Sequence, residues 1–280
     1  MAEIKATDVV KIREVTGAGM MDCKKALVEA AGDVAKAIEI LRKKGAATAA
    51  KKSVREAREG LIAQHLAPGG RLGVLVEVNC ETDFVARNDD FRAFADEVAR
   101  TLAENASANL DPAREAAVGK IRENIKIPRH ARMEVQGEGL IAGYIHTGAK
   151  VGVLVEVGAG NAGTAGTDEF KQLVKDITLQ IAAASPMTVS RDQLDATMLA
   201  KEKEIALEQV KDKPPQAIAK IVEGKMEKFF QTYCLVDQGF VKKNGEITVK
   251  DHLAATGKAL GDELSIRRFV RFQVGETPLA

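Results

Sequence analysis

The sequence predicts an α+β fold with its parts in series, and three observations carry that prediction. The first is an imperfect internal repeat. Adding 79 carries Gly60-Leu61-Ile62-Ala63 onto Gly139-Leu140-Ile141-Ala142, and Gly73-Val74-Leu75-Val76-Glu77-Val78 onto Gly152-Val153-Leu154-Val155-Glu156-Val157. The register holds into the next helix, where Phe91, Phe94, Ala95, Val98 and Leu102 fall on Phe170, Leu173, Val174, Ile177 and Ile181, a spacing that builds one apolar helical face. The second observation is a closing strand for each copy, 125–135 and 264–274. These align at an offset of 139 (Ile127 on Ile266, Arg132 on Arg271, Val135 on Val274), 60 more than 79, so copy two carries an insertion of that length between helix and last strand. The third is that residues 1–45 show helical periodicity and no strand pattern. The expected division is a three-helix domain at 1–45, a basic linker at 46–59, a first antiparallel-sheet-plus-helix lobe at 60–138, and a second at 139–280 with a helical hairpin arm at about 190–230.

Composition narrows the function classes. A chain of 280 residues that is 45% hydrophobic can bury several cores. With 41 basic and 40 acidic residues it lacks the charge of an electrostatic nucleic-acid binder, and with 4% aromatics and no Trp it lacks broad base-stacking surfaces. No run of about 18 apolar residues argues for a membrane span, and Met1-Ala2-Glu3-Ile4-Lys5 has no apolar signal region, so the expected location is the cytoplasm. Cys23, Cys80 and Cys234 are odd in number and far apart, as suits reduced thiols better than a disulfide framework or zinc site.

Along the chain, the first helix is expected at about Thr7 to Val15, with Val9 and Ile12 turned inward or to a surface, and it stops at Gly17. The second runs from about Met21 to Ala31, where Gly32-Asp33 supplies a stop followed by an N-cap. Val34, Ala37, Ile38 and Leu41 form the inner stripe of the third. The turn Thr16-Gly17-Ala18-Gly19-Met20-Met21 fails as a phosphate loop, since no strand precedes it and Asp22 stands where a third Gly belongs. Its two Met residues either plug a small core or form an adaptable docking patch. The stretch 42–59 is rich in Ala and carries seven basic against two acidic residues, which reads as a solvated helix or linker.

In copy one, Pro68-Gly69-Gly70 turns a hairpin between strands at about 61–66 and 72–78. The second of these is apolar except at Glu77, as expected of a strand with layers on both faces. A helix follows from about Asp89 to Ala103, and Asp111-Pro112 opens another. In the insertion of copy two, 193–211 and 215–230 read as helices divided by Lys213-Pro214-Pro215. Leu194, Met198, Ile205 and Val210 are expected to meet Ile218, Ile221, Val222 and Phe229 in an antiparallel hairpin suited to self-association or partner contact.

The search for chemistry comes up nearly empty. His65, His130, His146 and His252 are scattered with no partner at metal-ligand spacing, and no cofactor motif is present. Cys80 directly follows a buried strand, where free Cys is commonly a small core residue. The sharpest feature is where the two copies part company. Between strand and helix copy one has Glu81-Thr82-Asp83-Phe84-Val85, and copy two has Gly160-Asn161-Ala162-Gly163-Thr164. Phe84 could pack under its loop while Asp83 caps a turn. Alternatively, an aromatic beside an anion on a surface connection probes an interface.

The run from Thr16 to Leu27 (TGAGMMDCKKAL) together with Glu77 to Val85 (EVNCETDFV) closely resembles the bacterial elongation factor Ts family, over nearly the whole chain. The resemblance implies a guanine-nucleotide exchange factor for the GTPase elongation factor Tu, doing no covalent chemistry. It also implies a ubiquitin-associated-like N-terminal domain, a two-lobed α+β core and a helical arm. By the resemblance Ile12, Met20 and Met21 touch the nucleotide-binding domain of the GTPase. Thr82, Asp83, Phe84 and Val85 intrude near its magnesium and phosphate site, and His146 contacts its distal domain. A homodimer or a heterotetramer with the GTPase through the arm stays open, as does a rival reading of the chain as a passive protein-binding adaptor or chaperone.

Overall fold

The computed structural model describes residues 4–276. Helices α1 (Ala6–Thr16), α2 (Met20–Glu29) and α3 (Val34–Lys52) enclose a small core of Val9, Ile12, Cys23, Ala26, Leu27, Ala37 and Leu41. Helix α1 ends because Gly17 turns left-handed at φ 65°, a conformation that glycine adopts without steric cost. Helix α3 begins where the Asp33 carboxylate accepts the Lys36 amide at 3.1 Å. It does not stop near residue 45 but runs to Lys52, so the first half of the expected linker is helix. Its alanines favour that conformation, and Ala49 is held in the core of the first lobe, so one continuous helix joins the two units.

Each lobe is a three-stranded antiparallel sheet with its second strand in the centre. Lobe one orders β1 (Glu59–Leu66), β2 (Leu72–Cys80) and β3 (Lys126–Glu134), and lobe two orders β4 (Gly139–Ile145), β5 (Val151–Gly158) and β6 (Ser265–Gln273). Helix α5 (Asp89–Glu104) covers one face of the first sheet through Phe91, Ala95, Val98 and Leu102. Helix α7 (Asp168–Ala184) covers the second sheet through Phe170, Leu173, Val174, Ile177 and Ile181. Helix α6 (Asp111–Ile121) packs between α3 and α5.

The other faces of the two sheets pack on each other. Ile62, Leu75 and Met133 meet Ile141, Leu154 and Phe272, and these are the same positions under the offsets 79 and 139, so the lobes are related by an approximate two-fold axis. Gly73 and Gly152 allow the approach: a Cβ on Gly73 would lie 2.7 Å from Ile141, and one on Gly152 would lie 2.5 Å from Ile62. The buried glutamates obey the axis too. Glu77 accepts Arg129 Nε at 2.7 Å and the Gly275 amide at 2.9 Å, while Glu156 accepts Arg268 Nε at 2.7 Å and the Gln136 amide at 2.8 Å. Each arginine then donates to a backbone carbonyl of the other lobe, Arg129 to Gln273 at 2.8 Å and Arg268 to Glu134 at 2.7 Å. Burial pushes the Glu156 carboxyl up, but the Gln136 amide and the Arg267 and Arg268 guanidiniums outweigh it and hold it below its ordinary value.

The insertion forms α8 (Ala196–Glu208) and α9 (Pro215–Tyr233), an antiparallel pair, followed by α10 (Val249–Leu260) before β6. Leu194 meets Phe229 at the base of the pair, and Ala206 and Val210 meet Val222 toward the tip. The seam differs from the expected one at a single place. Ala206 is enclosed while Ile205 is 40% exposed, because a small residue lets the helices approach where a bulky one would hold them apart. Among the described residues no helix is long and apolar enough to cross a membrane.

Candidate partner-binding surface

The connection that interrupts the repeat is a four-residue helix, α4 (Asp83–Ala86). A segment this short has little helical stability of its own, so its surroundings must hold it. From inside, Ala86 is buried and Val85 packs on the lobe-one core. From below, the Glu123 carboxylate accepts the Glu81 amide at 2.9 Å, the Thr82 amide at 3.0 Å and the Thr82 hydroxyl at 2.6 Å. The Thr82 oxygen in turn caps the helix by accepting the Val85 amide at 3.4 Å. Glu81 returns the favour to the segment that carries Glu123, accepting the Asn124 amide at 2.6 Å. That bond, with Arg55 and Lys52 nearby, overcomes desolvation and lowers the Glu81 carboxyl below its ordinary value.

On this platform Phe84 stands 82% exposed, the largest aromatic exposure among the described residues. Asp83 does not cap the turn, since Thr82 does so; it pairs with Arg87 one turn on, at 2.9 Å, and stays partly open to solvent. The connection thus presents an exposed ring beside an anion at the first turn of a helix, on a support held by hydrogen bonds.

The other expected contact residues divide. Met20 and Met21, at the start of α2, are 44% and 62% exposed and form a surface patch. Ile12, for which the sequence allowed an inward or a surface position, is fully enclosed in the N-terminal core. In so small a bundle the inner stripe of α1 needs both Val9 and Ile12. His146 is exposed in the turn between β4 and β5, its Nδ1 2.9 Å from the Tyr144 hydroxyl. That turn is held against the start of lobe one, where Lys150 bonds Glu59 at 2.5 Å and the Gly60 carbonyl at 3.0 Å; Glu59 in turn pairs with Cys80, just before α4. The Met patch is linked to the same region by residue 122. The Arg122 guanidinium bonds Asp22, beside Met21, and the Arg122 carbonyl accepts Lys52 Nζ at 2.6 Å. Residues far apart in sequence are thereby tied to the segment that carries Phe84.

Burial, with Glu123 nearby, pushes the Cys80 thiol up to about 12, so it is not a thiolate at neutral pH. Among the described residues no group of His, Cys, Asp and Glu could hold a metal ion. Sequence reasoning missed Glu123. The signal that could have found it is the offset of 139, which puts Glu123 on Asp262, and Asp262 accepts the Gly160 and Asn161 amides at 3.0 Å each, the counterparts of Glu81 and Thr82. Lobe two therefore keeps the acid under its connection but has Gly163 where lobe one has Phe84.

Comparison with known proteins agrees along the whole chain. The family model described as Elongation factor TS matches residues 81–276, more than half of the sequence. Elongation factor Ts of Chloroherpeton thalassium is 42% identical over 295 aligned positions, covering 99% of this chain and 100% of the relative. Those of Nautilia profundicola and Nostoc sp. are each 42% identical, each covering 99% of this chain and 94% of the relative. With the repeat, the exposed Phe84 and the Met patch already in view, these matches lead to one conclusion: the chain belongs to the elongation factor Ts family of translation elongation factors.

Proposed function

We propose that the protein binds the GTPase elongation factor Tu and accelerates release of its GDP, with Phe84 as the element that disturbs the magnesium and phosphate site. The observation that carries this reading is Phe84 itself, 82% exposed on a clasped helix at the strand-to-helix connection, where the two copies have different side chains. Burying such a ring in a partner yields about 1.5–3 kcal/mol, which left in solvent it does not. Met20, Met21 and His146 supply anchoring surface on either side, and Val85 seats the helix.

The action is one of binding and not of covalent catalysis. An exchange factor leaves the solution equilibrium between GDP and GTP unchanged; it binds the nucleotide-free GTPase better than the GDP form, and GDP weakens the factor as much as the factor weakens GDP. A thousandfold weakening needs about 4 kcal/mol of differential contact, and one aromatic hot spot supplies about 2 or more of it. The rest must come from the anchoring surface and from the anion of Asp83.

The test is release of a fluorescent GDP from purified elongation factor Tu with increasing protein. Release that speeds up with concentration and saturates supports exchange. Complex formation with no change in release rate would make the protein a passive adaptor and end this reading.

A further inference from the structure

We propose that Glu123 is a positioning residue for exchange: it aims Phe84 by fixing both the backbone and the hydroxyl of Thr82. This rests on the exchange reading above. Three bonds from one carboxylate converge on residues 81 and 82, two from amides and one from the Thr82 hydroxyl. The last bond sets the direction of the Thr82 rotor. With its proton given to Glu123, the oxygen turns a lone pair toward the Val85 amide, the only side-chain cap that α4 has. The backbone under Phe84 is also locked in the opposite direction, by Glu81 on the Asn124 amide at 2.6 Å, while the Asn124 side chain holds the Arg55 carbonyl at 2.7 Å. A wedge transmits force only if its base does not yield, and this reciprocal pair of carboxylates is the base.

Lobe two supplies the internal control. Asp262 makes the two amide bonds of Glu123 at the equivalent connection, so that part of the arrangement belongs to the repeated fold. Asp262 also has a threonine hydroxyl beside it, but that of Thr164, which lies on Val85 under the offset and not on Thr82. A bond to a capping hydroxyl at the second position and the return bond from Glu81 have no counterpart there, since Gly160 and Asn161 replace Glu81 and Thr82 and Gly163 replaces Phe84. The capping hydroxyl at Thr82 and the return bond from Glu81 belong to the lobe that carries Phe84, where the demand is for orientation in addition to folding.

The experiment measures release of fluorescent GDP from elongation factor Tu across factor concentrations, with thermal unfolding of each variant. Glu123→Ala is expected to lower the maximal release rate by about tenfold or more, the size of effect a small misplacement of a working group has, while half-saturation moves less than about threefold. Glu123→Gln keeps one oxygen for the two amides but turns its NH2 toward the Thr82 hydroxyl, which must then accept where it donated, so the bond that sets the rotor is reversed and the variant is expected to fall on the same side. Glu123→Asp, the side chain that does this work in lobe two, is expected to recover most of the rate. Asp262→Ala is expected to lower the melting temperature as Glu123→Ala does and to leave the maximal rate within about twofold of wild type. Glu123→Ala and Glu123→Gln that keep the wild-type rate would overturn the proposal, as would Asp262→Ala slowing release as much as Glu123→Ala. If wild-type protein fails to accelerate release at all, the exchange reading falls and this one with it; if only the Glu123 variants fail to differ, exchange stands and the positioning role alone is lost.

Discussion

Lobe one and lobe two are the same construction carried to different ends. Both bury a glutamate that accepts an arginine of its own third strand, both set a glycine where the sheets touch, and both place an acid beneath the strand-to-helix connection. They differ in what the connection presents: α4 with Phe84 in the first lobe, and a single 3₁₀ turn at 164–166 after Gly163 in the second. What the lobes share buries their cores and holds their connections, and what they do not share at this connection is an exposed aromatic.

The largest expected effect tests the shared part. Truncating a buried, paired carboxylate leaves its arginines uncompensated and costs about 3–5 kcal/mol. Glu77→Ala and Glu156→Ala should therefore each lower stability by that order in denaturant unfolding, and by similar amounts. A large loss for one and none for the other would break the symmetry argument.

The next effect tests the unshared part. Phe84→Ala should leave thermal stability unchanged, since the ring touches mostly solvent, yet cost about 2 kcal/mol or more of differential binding, about thirtyfold in stimulated GDP release. The converse substitution, Gly163→Phe, has open space around it and an ordinary φ of −70°, so it should fold normally. It should add nothing to exchange; a gain there would mean that either lobe can act. A smaller effect concerns anchoring. Met20→Ala with Met21→Ala should weaken binding of the GTPase by about 1–2 kcal/mol in calorimetry and leave the release rate of the saturated complex nearly intact.

The smallest effect is on pH. Glu81 and Glu156 are both held below their ordinary value of 4.5, so the stability they contribute is present above that value and is lost as pH falls through their lowered folded-state values. Melting temperature should be flat from neutrality to about 5 and drop below it. Glu156→Gln, lacking that titration, should show a shallower drop.

Much of this was legible in the sequence because the repeat repeats its physics. The offsets of 79 and 139 identified strands, the covering helices and the insertion, since apolar periodicity survives wherever a face is buried. Three things were less legible, each for a local reason. Helix α4 is too short to show a helical period, so Asp83 and Phe84 read as loop. Helix α3 runs on through a basic stretch because alanine propensity and the burial of Ala49 outweigh its solvated look. Glu123 is an ordinary acid between a helix and a strand, and only its alignment with Asp262 sets it apart. For Ile12 the sequence left inward and outward open, and the packing of three short helices decided for inward.

The most direct test of the central claim, that the broken position of the repeat drives exchange, is stopped-flow release of fluorescent GDP from elongation factor Tu at saturating protein, wild type against Phe84→Ala. The account predicts fast release for wild type and a fall of about thirtyfold for the variant, with the variant still bound to the GTPase. Equal release rates for the two proteins, both bound, would contradict it.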